Sequence, residues 1–132
     1  MALPLLLAGV RVLVIDDDAT FCRYLVEVLA SDGHQADSAD DALVGFERCL
    51  RERYDAVICD VRMPLMLGTE LVAELRRDLP NLPVILISAF ADEHVAAQAA
   101  FCKARLLSKP FDATALEHAL AEITAHPAVC NT

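Results

Sequence analysis

Three short segments, Val10 to Ile15, Asp55 to Asp60 and Val84 to Ser88, are continuous apolar runs rich in β-branched residues, too short for helices, and each leads into an acid or a hydroxyl. A strand of that kind is buried on both faces, which requires a parallel sheet covered by helices on both sides. Between the runs the apolar period changes from strand to helix. Phe21, Leu25, Val28 and Leu29 mark a first helix ending near Gly33. Ala42, Leu43, Phe46 and Leu50 mark a second with Asp40 or Asp41 at its start, and Leu71, Val72 and Leu75 a third that Pro80 closes. Residues 92 to 103 predict an alanine-rich fourth helix with a shallow apolar face, the one expected to shift most easily. Ala115, Leu116, Ala119, Leu120 and Ile123 predict a fifth, begun by Asp112. The weaker segment His34 to Ala39 reads as an edge strand and Leu106-Leu107 as a short fifth strand. The predicted fold class is α/β, a doubly wound five-stranded parallel sheet with helices on both faces.

A chain of 132 residues is one domain. We divide it into an apolar lead-in at 1–9, a folded unit at 10–125 and a tail at 126–132. The lead-in lacks a basic start, is interrupted by Arg11 and runs into three aspartates, so it suits neither an export signal nor a membrane span, and the expected location is cytoplasmic. Twenty acidic residues against eleven Lys and Arg give a net charge of −9 with no basic stripe, which argues against direct nucleic-acid binding. Cys22, Cys49, Cys59, Cys102 and Cys130 form no CxxC pair; buried free thiols in a reducing compartment are expected, with Cys130 exposed in the tail.

In a parallel sheet the run ends share one edge, which brings Asp16, Asp17, Asp60, Ser88 and Lys109 together. Singly, each has an ordinary reading, as a helix cap, a turn residue or a solvated lysine. Jointly they describe an anionic pocket for a divalent metal with an ammonium beside it. Magnesium ligation by Asp17, Asp60 and a backbone carbonyl fits that pocket, with Asp16 holding a bound water or acting as an outer ligand. Asp60 is the nucleophile candidate for attack on phosphorus, Lys109 its counter-ion, and Ser88 a hydroxyl donor to a phosphoryl oxygen.

The segments Val14-Ile15-Asp16-Asp17-Asp18, Asp60-Val61-Arg62-Met63-Pro64 with Gly68, Ile87-Ser88-Ala89 and Ser108-Lys109-Pro110-Phe111 resemble the receiver domains of two-component response regulators, over about residues 10 to 125. The resemblance implies a flavodoxin-like (βα)5 fold and a phosphorylation-dependent signalling switch. In it Asp60 is the phosphoacceptor, Asp16 and Asp17 the acidic pair at Mg²⁺, Arg62 the backbone-carbonyl ligand, Ser88 the switch hydroxyl, and Lys109 the lysine, with a cis bond to Pro110. The implied partners are a histidine kinase or histidine phosphotransfer protein and a downstream protein or output domain, with a homodimer left open. Two positions depart from the family pattern. Leu106 stands at the switch aromatic, and Cys102, followed by Lys103, stands where a glycine is common before the fifth strand. Arg62 and Phe90 occupy positions that flank the acyl phosphate, and with Phe90 obstructing water we expect a fairly long-lived phosphoaspartate.

Two other functions fit these residues less well. A small Mg²⁺-dependent phosphatase or phosphotransferase with an aspartyl-phosphate intermediate wants an acid two residues after its nucleophile, where this chain has Arg62. A receiver-like binding module that is never phosphorylated would have no use for the complete set of acids and lysine.

Overall fold

The run Val12-Leu13-Val14-Ile15 forms the centre of the first strand, and the elements follow in strict alternation. They are β1 (Arg11–Ile15), α1 (Ala19–Ser31), β2 (Gln35–Ala39), α2 (Ala42–Arg51), β3 (Ala56–Asp60), α3 (Gly68–Asp78), β4 (Val84–Ser88), α4 (Glu93–Phe101), β5 (Arg105–Ser108) and α5 (Ala113–Cys130). The computed structural model describes the backbone of residues 9–130 and the side chains of residues 9–124. The expected lead-in, apart from Gly9, lies outside the described residues, as does the side chain of Cys130. The five strands form one parallel sheet in the order β2-β1-β3-β4-β5. No described helix is long and apolar enough to cross a membrane.

Strand alternation divides the interior into two cores. Val12, Val14, Ile58, Ile85 and Ile87 face Leu25 and Leu29 of α1 and Leu116 and Leu120 of α5, whereas Leu13, Ile15, Val57, Cys59 and Leu86 face Leu71, Val72 and Leu75 of α3. Each such aliphatic side chain stabilises the fold by roughly 1.5–3 kcal/mol on leaving water. Aspartates begin four helices. Asp18, Asp41, Asp92 and Asp112 accept the backbone N–H of Phe21, Val44, Val95 and Ala115 respectively, at 2.8 to 3.1 Å. α3 starts differently, with Glu70 reaching back to the Leu67 N–H at 2.8 Å. Gly68 at its head donates to the Val61 carbonyl at 2.7 Å, and a Cβ there would collide with the Asp60 carbonyl oxygen. This glycine lets the helix start directly over the end of β3.

The second helix corrects one expectation. Its buried residues are Ala42, Gly45 and Cys49, with Phe46 partly covered, while Leu43 and Leu50 face solvent at 70% and 44% exposure. Helix and strand approach so closely that a Cβ on Gly45 would lie 2.6 Å from Ile15 Cδ1, so the smaller residues turn inward. As expected, α4 buries little, only Val95 and Ala99.

The turn that closes α4 is left-handed at a residue other than glycine. Lys103, at φ 60°, takes the left-handed conformation there, one position after Cys102. Lys103 N–H donates to the Ala100 carbonyl and Ala104 N–H to that of Ala99, a closure that needs positive φ. The half-buried Arg76 of α3 then donates to the carbonyls of Leu79, Leu82, Cys102 and Lys103 at 2.6 to 3.1 Å, fastening α3 to the end of α4. Lysine is strained in this conformation and glycine is not. Lys103→Gly should therefore raise the unfolding free energy by about 0.5–1 kcal/mol in urea titration, the strain relieved exceeding the added unfolded-state entropy.

Candidate functional site

The side chains at the C-terminal strand ends are set by backbone bonds that extend the sheet one residue further. Asp16 N–H donates to the Ala39 carbonyl, Val61 N–H to Ile87 and Lys109 N–H to Ser88, at 2.8 to 3.1 Å. β3 and β4 pair Asp60 with Ile87, and β4 and β5 pair Ser88 with Ser108, so Asp60 and Lys109 flank the end of β4. The peptide bond from Lys109 to Pro110 is cis.

Asp16, Asp17 and Asp60 each offer a carboxylate oxygen within 4.8 Å of the others. Asp16 is buried at 3% exposure, Asp17 is exposed and Asp60 lies between them. One oxygen of Asp16 accepts the Asp18 N–H at 2.9 Å, and the other, Oδ2, is buried without a hydrogen-bond partner. Lys109 Nζ stands 3.5 Å from Asp60 Oδ1 and 3.9 Å from Asp16 Oδ2. It also lies 4.3 Å from the centre of the Phe21 ring.

The other candidates surround this centre unequally. Ser88 is buried, and its Oγ accepts the Phe90 N–H at 3.0 Å, which leaves the hydroxyl proton free to be donated. Arg62 is exposed and enters no ion pair among the described residues, and Phe90 is 71% exposed. Leu106 is half-buried against the α3 side of the core. The spacing of Phe21 predicts only a place in the α1 apolar stripe. Its place in the first turn after the acidic run was the available signal that it borders the site.

Crowded carboxylates in a buried place hold their protons more tightly. Burial, opposed by the Asp18 N–H and Lys109 and reinforced by the charges of Asp60 and Asp17, pushes Asp16 up to about 6. Asp60 is also raised, first by burial, against the opposing pull of Lys109. A carboxyl with a raised folded-state pKa binds more protons folded than unfolded, so its ionisation destabilises the fold as pH rises from 3.8 to about 6. In metal-free buffer Asp16→Asn, which keeps an oxygen for the Asp18 N–H, should raise the unfolding free energy at neutral pH by about 1–2 kcal/mol. That gain should disappear near pH 4, as measured by urea titration across the range.

Comparison with known proteins comes to the same place. The model of the response regulator receiver domain family matches residues 12–121. The chain is 33% identical over 118 residues to the transcriptional regulatory protein ZraR of Klebsiella oxytoca, covering 89% of this chain and 27% of that one. It spans about a quarter to a third of the length of the first curated relatives it matches. Among solved structures, a response regulator receiver domain protein from Clostridium thermocellum has a TM-score of 0.86 and 27% identity, covering 94% of this chain and 99% of that one. The response regulator TrrA of Thermotoga maritima, solved in complex with Mg(2+)-BeF, has a TM-score of 0.78 and 25% identity over 86% of this chain and 97% of that one. A sequence match running from within β1 into α5, joined to a shared fold at this level of likeness, means that the chain belongs to the family of response regulator receiver domains.

Proposed function

We propose that this domain takes a phosphoryl group onto Asp60 from a histidine kinase or histidine phosphotransfer protein and, in that state, presents a changed surface to a downstream protein or output domain. The observation that supports this most is the meeting of three carboxylates and one ammonium at a single sheet edge. The pocket fits Mg²⁺, because Asp16 Oδ2 is a buried acceptor without a partner and the oxygens of Asp17 and Asp60 lie within reach of it. Asp16, Asp17 and Asp60 would hold the ion with the Arg62 carbonyl, and when bound it supplies charge neutralisation for the phosphoryl oxygens.

The remaining chemistry belongs to the chain's own groups. An Asp60 carboxylate oxygen forms the new bond to phosphorus as the bond from phosphorus to the donor nitrogen breaks, and the leaving imidazole keeps that electron pair. Lys109, already facing Asp60, turns its N–H donors to the phosphoryl oxygens and offsets their charge. Ser88 donates its free hydroxyl proton to one of these oxygens, giving up the bond to the Phe90 amide if the side chain must turn. Leu106 can contribute packing to the switch and no polar contact. With α4 seated by only Val95 and Ala99, the altered surface centres on α4, β5 and α5. Phe90 and Arg62 set the lifetime of the product. A phosphatase would place an acid where Arg62 stands, and no observation favours it.

Incubation with acetyl phosphate and Mg²⁺ should add one phosphoryl group to the intact mass, and Asp60→Asn should abolish the addition. An unmodified wild type, or continued release of phosphate without an adduct, would count against the proposal. Phe90→Glu gives an arriving water an acceptor in place of an apolar ring, and it should speed loss of the phosphoryl group roughly tenfold in a single-turnover decay.

A further inference from the structure

We propose that Phe21 is a positioning residue for Lys109, its ring face holding the ammonium over the acidic pocket. Three neighbours surround Nζ: Asp60 Oδ1 at 3.5 Å, Asp16 Oδ2 at 3.9 Å and the centre of the Phe21 ring at 4.3 Å. That last distance is well inside the range over which an aromatic face attracts a cation. The ring is itself fixed from two sides. Its backbone N–H is held by Asp18, in the same loop as Asp16 and Asp17, and its edge-to-face partner at 6.2 Å and 78° is Phe111, two residues beyond Lys109. Phe21 and Phe111 both pack against the core on the α1 and α5 side of the sheet. One ring therefore ties the loop that carries the acids to the loop that carries the lysine.

The ring offers Lys109 something the carboxylates do not. Asp60 and Asp16 attract the ammonium through their negative charge, and the charge on Asp60 is replaced by that of a phosphoryl group when the reaction runs. A ring quadrupole attracts the cation without claiming a directed N–H and is unchanged by phosphorylation. The long, flexible lysine stem is thus kept in place while its donors remain available to incoming oxygens, and less freedom is lost when they engage. This inference rests on the reading of Asp60 as the phosphoacceptor.

The test uses beryllium trifluoride, a phosphoryl analogue, with Mg²⁺ saturating. Phe21→Leu should weaken its binding and slow phosphorylation by acetyl phosphate about fivefold, while Phe21→Tyr stays within about twofold of wild type. In a Lys109→Ala background Phe21→Leu should have no further effect. In the metal-free protein, the Lys109 Cε protons should show an upfield ring-current shift in NMR spectra that Phe21→Leu removes. Replacing Phe21 with trifluorophenylalanine, which retains the ring's shape and weakens its quadrupole, should reproduce most of the leucine penalty. Full binding by either variant, an equal penalty without Lys109, or the absence of the ring-current shift would overturn the role. A wild type that takes neither the analogue nor phosphate would instead remove the reading of Asp60, and this role with it.

Discussion

Like charges held a few ångströms apart in a partly dry pocket repel, and the structure must hold them there against that repulsion. Asp16, Asp17 and Asp60 are in that position, and Lys109 is the ammonium set among them. At such separations the interaction depends steeply on how much water intervenes. The lysine lowers the cost of ionising Asp60 without cancelling it, and Asp16 retains an oxygen with no hydrogen-bond partner. The site is therefore electrostatically unfinished. A cation or an incoming group that completes it gains interactions the protein does not make for itself, and the cores beneath supply the stability that tolerates the deficit.

The rigidity of this arrangement comes from backbone more than from side chains. β1, β3 and β4 are buried on both faces, and the amides of Asp16, Val61 and Lys109 continue the ladder beyond the strand ends. Each functional residue thus departs from a fixed platform. Gly68 serves the same purpose by letting α3 start against the Asp60 carbonyl, closing the space behind that residue.

Much of this was legible in the sequence because the central strands carry a strong and unambiguous signal. Continuous apolar runs ending in acid predict buried parallel strands, and parallel strands bring their ends together, so the fold and the meeting of Asp16, Asp17, Asp60, Ser88 and Lys109 followed from one argument. The errors arose where a local rule met close packing. Leu43 and Leu50 fit the helical period of α2 and still face water, because the nearness of β1 at Gly45 rotates the smaller residues inward. The left-handed turn at Lys103 was not legible either, since a helix end cannot be located to a single residue from its pattern. The contact between Phe21 and Lys109 joins residues far apart in sequence and of unlike character, and no periodicity encodes it.

The clasp made by Arg76 bears on how motion is distributed over α4. Four carbonyls are gathered by one guanidinium at the far end of that helix, two of them on its closing turn, whereas along its length the helix is seated by a valine and an alanine. A rod pinned at one tip and lightly bedded elsewhere is most compliant at the other tip. Here that other tip, held by the Asp92 cap and Val95, follows Ser88 and Phe90, so a disturbance at the strand edge enters the helix at the end opposite its clasp.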